Sequence, residues 1–348
     1  MNKGKKIRPL LLLIALCGFA GCSGTTATQE QESEAQQWVT YSGEEGPGKG
    51  KKIVFVSGDE EYRSEEALPM LAQILAKRFG FTCTVLFSVD SLTGEIDAND
   101  PSNIPGLDHL ESADLMVIFT RFRELPPDQM SYIDAYLKAG KPVIGLRTAT
   151  HAFHYAKNPD DPYAKYDFQS AVPGWEQGFG KIVLGETWVS HHGDHGKEGT
   201  RGLNSEAAAD NPILNGVADI WVPTDVYTVG PLEGADVLVY GQSTSGMTAD
   251  APVNESKEAL PVAWTRSYAI EGGKEGKAFA TTMGASIDLL NEDLRRLLVN
   301  ACFWAVDQPI PEKADVAFVS SYEPTKFGFD SFKKGALPAD FQLKEEQP

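Results

Sequence analysis

Pro142-Val143-Ile144-Gly145-Leu146-Arg147-Thr148-Ala149-Thr150-His151 is the stretch whose reading decides the fold. An apolar run ends at Leu146 and gives way abruptly to small and polar residues. That is the pattern of a buried strand breaking into a sharp turn and a helix. In many α/β enzymes such a turn presents a nucleophile. Here it presents Arg147, so the scaffold is of a catalytic kind while the usual covalent chemistry is missing.

The pattern upstream is consistent with that strand. An apolar strand at 52–57 precedes a helix over Ser64–Phe79, with Leu68, Leu71, Ile74, Leu75 and Phe79 at helical spacing. Strands follow at 82–87 and Leu115–Thr120, then a helix at 127–139 that stops at Gly140. Strands apolar on both faces, alternating with helices, predict a parallel sheet covered on each side. Downstream the pattern loosens. Residues 155–230 read as a loop-rich insertion. Strands are expected at 181–184, 237–241, 262–268 and 278–283, and an amphipathic helix at 289–306. The last forty residues, with scattered aromatics, read as an arm packed on the domain. One domain with a large insertion is expected.

The chain of 348 residues carries 49 acids against 31 bases, a net charge of −18. Such a body repels nucleic acid, which is excluded as a partner. Residues 1–21 read as a lipoprotein signal peptide. Lys3, Lys5, Lys6 and Arg8 precede an apolar run too short to span a bilayer. Phe19-Ala20-Gly21-Cys22 then resembles a bacterial lipobox, with Cys22 as the lipidated residue. Cell-envelope placement, on the periplasmic or outer-membrane face, follows as an expectation; without lipid the protein would be secreted. Residues 22–50, rich in Ser, Thr, Gln, Glu and Gly, read as a flexible tether. Gly43, Gly48 and Lys49 have P-loop spacing, but Gly50 stands where Ser or Thr is required, and the segment precedes a strand instead of following one. Cys83 and Cys302 read as buried thiols, and no CxxC motif is present.

In open parallel sheets, ligands bind at the carboxyl ends of the strands. That rule selects Asp59, Glu60 and Tyr62 after the first strand, Arg121 after the third, and Arg147, Thr148 and His151 after the fourth. A single glycine follows the first strand, so the dinucleotide fingerprint is absent. Five of the six histidines fall between 151 and 195, densest in His191-His192-Gly193-Asp194-His195-Gly196. Imidazoles serve as general acids and bases near neutral pH. His151, His192, Arg147 and Glu60 are the expected catalytic residues. Asp59, Tyr62, Arg121, Thr148, His191, His195 and Arg201 are the expected binding residues. No cofactor is expected; a divalent metal on His191, His195 and Asp194 stays open, although HExxH is absent. Arginine forks and an aromatic such as Trp175 or Trp188 suit a polyhydroxylated ligand.

The order of five segments resembles the ThuA-like (trehalose utilisation) family over roughly 52–307. They are KIVFVSGDEEYR from Lys52, GLRTATHAF from Gly145, HHGDHGKEGTRG from His191, PVAWTR from Pro261, and GKAFATTMGASIDLLNEDLRRLLVNACFWA from Gly276. The resemblance implies a flavodoxin-like, class I glutamine amidotransferase-like α/β fold. It also implies carbohydrate processing, on a sugar or keto-sugar. Where family members often carry histidine and aspartate in the turn, this chain has Arg147 and His151. Glutaminase activity needs a cysteine at the turn, and Arg147 occupies it. Three readings follow: an acid–base enzyme on sugars, a lipid-anchored carbohydrate-binding protein without turnover, and a metal-dependent hydrolase built on the histidines.

Overall fold

The computed structural model describes residues 36–344. The signal peptide, the lipobox-like segment and Cys22 lie outside the described residues. No helix among those described is long and apolar enough to cross a membrane.

The centre of the molecule is a five-stranded parallel sheet. Its strands are β2 (Lys52–Gly58), β3 (Thr82–Leu86), β4 (Leu115–Thr120), β5 (Val143–Leu146) and β10 (Gly276–Thr281), in the order β3-β2-β4-β5-β10. Alternation explains why the central residues of these strands are mostly apolar. Ile53, Phe55, Leu115, Val117 and Phe119 enter one core with α1 (Ser64–Phe79) and α3 (Glu292–Ala305). Val54, Val56, Met116 and Ile118 enter the other, with α2 (Pro127–Lys138). Successive side chains point to opposite faces, so covering both faces favours apolar residues at successive positions.

Beyond β10 the sheet turns antiparallel, through β9 (Leu260–Tyr268), β8 (Ala235–Ser243), β6 (Thr200–Asn204) and β7 (Trp221–Val222). The expected parallel sheet is therefore the core of a ten-stranded mixed one. The turn between β9 and β10 spans 269–275, too short for the crossover that parallel neighbours need. The expected strand at 181–184 is also absent. Gly180–Leu184 forms a π-helical turn whose Leu184 carbonyl accepts from Trp264 Nε1 at 2.7 Å. A Cβ on Gly180 would lie 2.0 Å from the Thr150 carbonyl oxygen, so only glycine allows this approach.

The expected tether reaches into the fold from its other end. β1 (Trp38–Tyr41) pairs antiparallel with β3, burying Val39 and Tyr41. Residues 43–50 then turn against the end of α1, where the Gly48 amide donates to the Phe79 carbonyl at 2.8 Å. The P-loop-like glycines thus serve backbone contact: a Cβ on Gly43 would meet Gly80 at 2.2 Å. At the other terminus, residues after α3 run across α1 and α3. Arg295 and Arg296 bind the carbonyls of Val316 and Ala314, and Tyr41 donates to the Phe341 carbonyl. Cys83 and Cys302 are free and buried, and burial raises both thiols.

Glu65 is the anomaly of the helical layer. It sits in the first turn of α1, 6% exposed, and neither carboxyl oxygen has a hydrogen-bond partner. Burial pushes its carboxyl up to about 8. The unfolded chain ionises this group near pH 4.5, while the folded protein keeps it protonated to about pH 8. Stability is therefore lost as pH climbs between those values and stays reduced above them. Glu65→Gln is expected to gain stability over the wild type on the order of 2–5 kcal/mol at pH 9, and little at pH 4. Denaturant melts at the two pH values test this; an equal gain at both would contradict it.

Candidate active site

Four segments meet at the carboxyl ends of the parallel strands: 59–63 after β2, 121–124 after β4, the turn Arg147–His151 after β5, and parts of the insertion. The first and third are tied by Asp59. Its carboxylate accepts from the amides of Glu61 and Tyr62 and from the Thr148 hydroxyl. The second and third are tied by backbone bonds from Phe122 and Arg123 to the carbonyls of His151 and Ala152. Asp59 and Thr148, expected to bind substrate, are thus buried and spent on loop geometry. Glu60, expected to be catalytic, clamps Arg121 and Arg123 with its two oxygens. Burial raises its carboxyl, the Asp59 charge adds to this, and the two guanidiniums oppose it.

Arg147 is wholly buried, with φ 45°. Its Nη1 donates to the carbonyls of Asp225 and Thr282, both at 2.7 Å. Its Nη2 donates to Asp225 Oδ1 at 3.1 Å and to the Tyr62 hydroxyl at 3.2 Å. The guanidinium carbon lies 3.9 Å from the ring centroid of Tyr227 and 4.5 Å from that of Tyr62. Arg147 and Tyr62 therefore face protein on all sides and present nothing to a ligand. The expected catalytic guanidinium is a structural one. The reason is Asp225, which supplies a counter-charge from the insertion.

Asp225 organises two histidines. His191 Nδ1 lies 2.7 Å from its Oδ2, and His195 Nδ1 lies 3.0 Å from its Oδ1. The ring centroids are 4.7 Å apart. The chain permits this because the histidine loop pairs with the segment carrying Asp225: His191 bridges Tyr227, and the amides of His192 and Gly193 donate to the Val226 carbonyl. A Cβ on Gly193 would sit 2.9 Å from the Asp225 Cβ, so glycine is needed for the approach. Burial would raise the Asp225 carboxyl. The Arg147 charge and the two imidazole hydrogen bonds outweigh it and hold the carboxyl well below the usual range. Their side chains are 34% and 36% exposed. With Nδ1 committed to Asp225, Nε2 is the nitrogen each imidazole retains for a ligand. The Asp225 hydrogen bond raises the His195 pKa against the effect of burial, and Glu61 Oε1 stands 3.4 Å from His195 Nε2. Burial raises the Glu61 carboxyl, with Arg121 opposing.

The remaining expected residues divide. Arg121 lies at the rim, paired with Glu60 and packed 4.3 Å from the Phe122 centroid. His151 is buried beside the pair, its Nδ1 3.1 Å from Thr150 Oγ1 and its ring 5.5 Å from Trp188. Burial, then the charges of Arg121 and Arg147, drive its pKa well down, so it is neutral at ordinary pH. His192 turns away and meets the Glu258 carbonyl at 2.9 Å. Arg201 on β6 pairs with Asp219 and binds the Ala249 carbonyl. Asp194 pairs with Lys257, so in the alternative metal set it is replaced by Asp225. One ligand atom from each of His191, His195 and Asp225 lies within 4.8 Å of the others; among the described residues no other group of three or more does so. Trp175 is core, 4.4 Å from Tyr166, whereas half-buried Trp188 lies edge-on to His191 at 5.9 Å. Sequence reasoning missed Asp225 and Tyr227; Glu61 follows the first strand, where ligands bind, but was not among the expected site residues. The one local signal for Asp225 is a lone acid in the otherwise uncharged run Thr224-Asp225-Val226-Tyr227.

No curated protein matches the chain. Among solved structures it is similar to a protein from Parabacteroides merdae ATCC 43184 described as ThuA-like. The two share 14% identity at a TM-score of 0.47, over 85% of this chain and 100% of that one. A protein from Bacteroides uniformis ATCC 8492, likewise described as ThuA-like, shares 12% identity at a TM-score of 0.43, over 76% and 94%. The exo-beta-1,4-mannosidase Op5Man5 from Opitutaceae bacterium strain TAV5 shares 9% at 0.32, over 74% of this chain and 36% of that one. Identities this low say nothing of chemistry. Residues 52–305 match the model of the ThuA family, described as trehalose utilisation, and the chain belongs to that family.

Proposed function

We propose that the protein is an enzyme of carbohydrate processing that works by acid–base chemistry at His191 and His195. The observation that carries the reading is the shared carboxylate: one buried Asp225 orients both imidazoles through Nδ1. An oriented imidazole beside a carboxylate is the arrangement that moves protons near neutral pH. The raised pKa of His195 suits it to donate a proton, with His191 accepting one. Abstraction of a proton beside the carbonyl of a keto-sugar, or protonation of a departing glycosidic oxygen, uses such a pair. Arg121, at the rim, offers a cation to a developing oxyanion. His151 and Arg147, expected to act directly, are assigned here to support.

A second reading rests on the same atoms. Three ligand atoms within 4.8 Å suit a divalent ion, which would displace the Nδ1 protons. Metal content of the purified protein, with and without chelator, separates the two. Turnover surviving complete metal removal supports acid–base chemistry. Carbohydrate binding without turnover would support a capture protein instead. Envelope anchoring through Cys22 is part of the same proposal, and Cys22→Ser is expected to shift the protein from the membrane to the soluble fraction.

Two sets of variants test the site. Turnover assayed on trehalose, cellobiose and their 3-keto forms is expected to fall about 100-fold or more in His191→Ala and His195→Ala. It should be nearly unchanged in His192→Ala and Arg201→Ala; the reverse pattern would move the site elsewhere. Asp225→Asn is expected to lower the His195 titration midpoint seen by NMR, because the carboxylate that favours the imidazolium is gone. It should also destabilise the fold by about 3–5 kcal/mol, because Arg147 is left buried without its counter-charge. An unmoved His195 midpoint would show that the carboxylate does not control that imidazole.

A further inference from the structure

The family match ends at residue 305, yet residues 327–331 of the arm lie against the candidate site. Arg63 fastens them. It is wholly buried, with φ 63°, and donates to the Gly328 carbonyl at 2.6 Å and to the Ser331 hydroxyl. In return the Gly328 amide donates to the Glu61 carbonyl at 2.8 Å. Asn99 adds a bond to Asp330 at 3.0 Å. The segment is therefore tied to the same loop that carries Glu60 and Glu61.

Two phenylalanines flank the bond between Gly328 and that loop, and their environments differ. Phe327 is buried, its ring 5.5 Å from both Tyr62 and His195. Phe329 is 54% exposed, with its ring 5.1 Å from the Arg121 guanidinium. Arg121 thus contacts two aromatic rings, Phe122 and Phe329, while Glu60 binds its Nη1. Phe329 is a large apolar side chain held half open against one guanidinium, two residues from Phe327, whose ring reaches His195, and an exposed ring so placed suits a ligand with an apolar face and polar edges. A pyranose ring has that character: its axial C–H bonds form an apolar face and its hydroxyls a polar perimeter.

We propose that Phe329 is a binding residue of the site, the platform on which a pyranose ring of the substrate stacks, through the ring face that Arg121 does not cover. The arm beyond the family domain then contributes specificity to chemistry carried out by the domain. The inference rests on the carbohydrate reading above and names a recognition element for it.

Calorimetric titration of the full chain with trehalose and with cellobiose tests it, on wild type, Phe329→Ala, Phe329→Leu, Phe329→Trp and His191→Ala. Removing one stacked ring is expected to weaken binding about five- to tenfold in the Ala and Leu variants. The Trp variant should retain affinity, and all three should melt with the wild type. Phe329→Leu keeps apolar bulk over Arg121, so its loss would report the ring itself. Wild-type affinity in both Ala and Leu variants, with binding lost in His191→Ala, would overturn the platform and leave the carbohydrate reading standing. No binding of either sugar by the wild type would overturn both.

Discussion

Two opposite charges removed from water, the guanidinium of Arg147 and the carboxylate of Asp225, hold the parallel and insertion parts of this molecule to one another. Burying either charge alone would cost several kcal/mol. Arg147 is compensated by the carboxylate, two backbone carbonyls, a tyrosine hydroxyl and the faces of two tyrosine rings. Its Nε alone has no partner. Asp225 is compensated in turn by Arg147 and two imidazoles. The pair joins a turn at the tip of β5 to a loop of the insertion, so the position of the histidines depends on it. An arginine where other α/β enzymes present a nucleophile is thus the anchor that makes a different, imidazole-based site geometrically defined.

Around that anchor the rule is close approach of backbone. Gly193 admits Asp225 beneath the histidine loop, and Gly180 lets the insertion lie on the Thr150 carbonyl. Each substitutes the absence of a Cβ for a specific side-chain contact. The acidic groups of the site are handled differently. Asp59 is consumed by the loop it organises, Glu60 by two arginines, Asp225 by Arg147 and two imidazoles, and Glu61 stands beside the second nitrogen of His195. Four acids in one small region are tolerated because Arg121, Arg123 and Arg147 are interleaved with them.

The parallel core was legible because its signal is local. Apolar residues at every position of 115–119, and at helical spacing over 64–79, admit few other structures. Of the antiparallel half, β8 and β9 were read as strands without their direction, since direction follows from the length of the 269–275 turn and not from the strand composition, while β6 and β7 lie in the stretch read as loop-rich. The short strand Trp38–Tyr41 was hidden in a polar stretch; four residues carry too little periodicity to stand out from their neighbours. Within the site, the histidine-rich loop was visible as composition. Its division was not: His191 and His195 form the pair, while His192, between them, points to Glu258.

Taken alone, the sequence determined the α/β layering, the strand tips where chemistry-bearing residues collect, and the family. The layering and the strand tips depend on burial patterns repeated every two or 3.6 residues, which any short window contains, and the family on the order of five segments along the chain. Only the tertiary structure decided which side chains meet. Asp225 is 78 residues from Arg147, and 34 and 30 from His191 and His195. Phe329 comes from beyond the family domain altogether. A hydrogen-bond partner is chosen by where distant segments cross, and that depends on the packing of the whole chain.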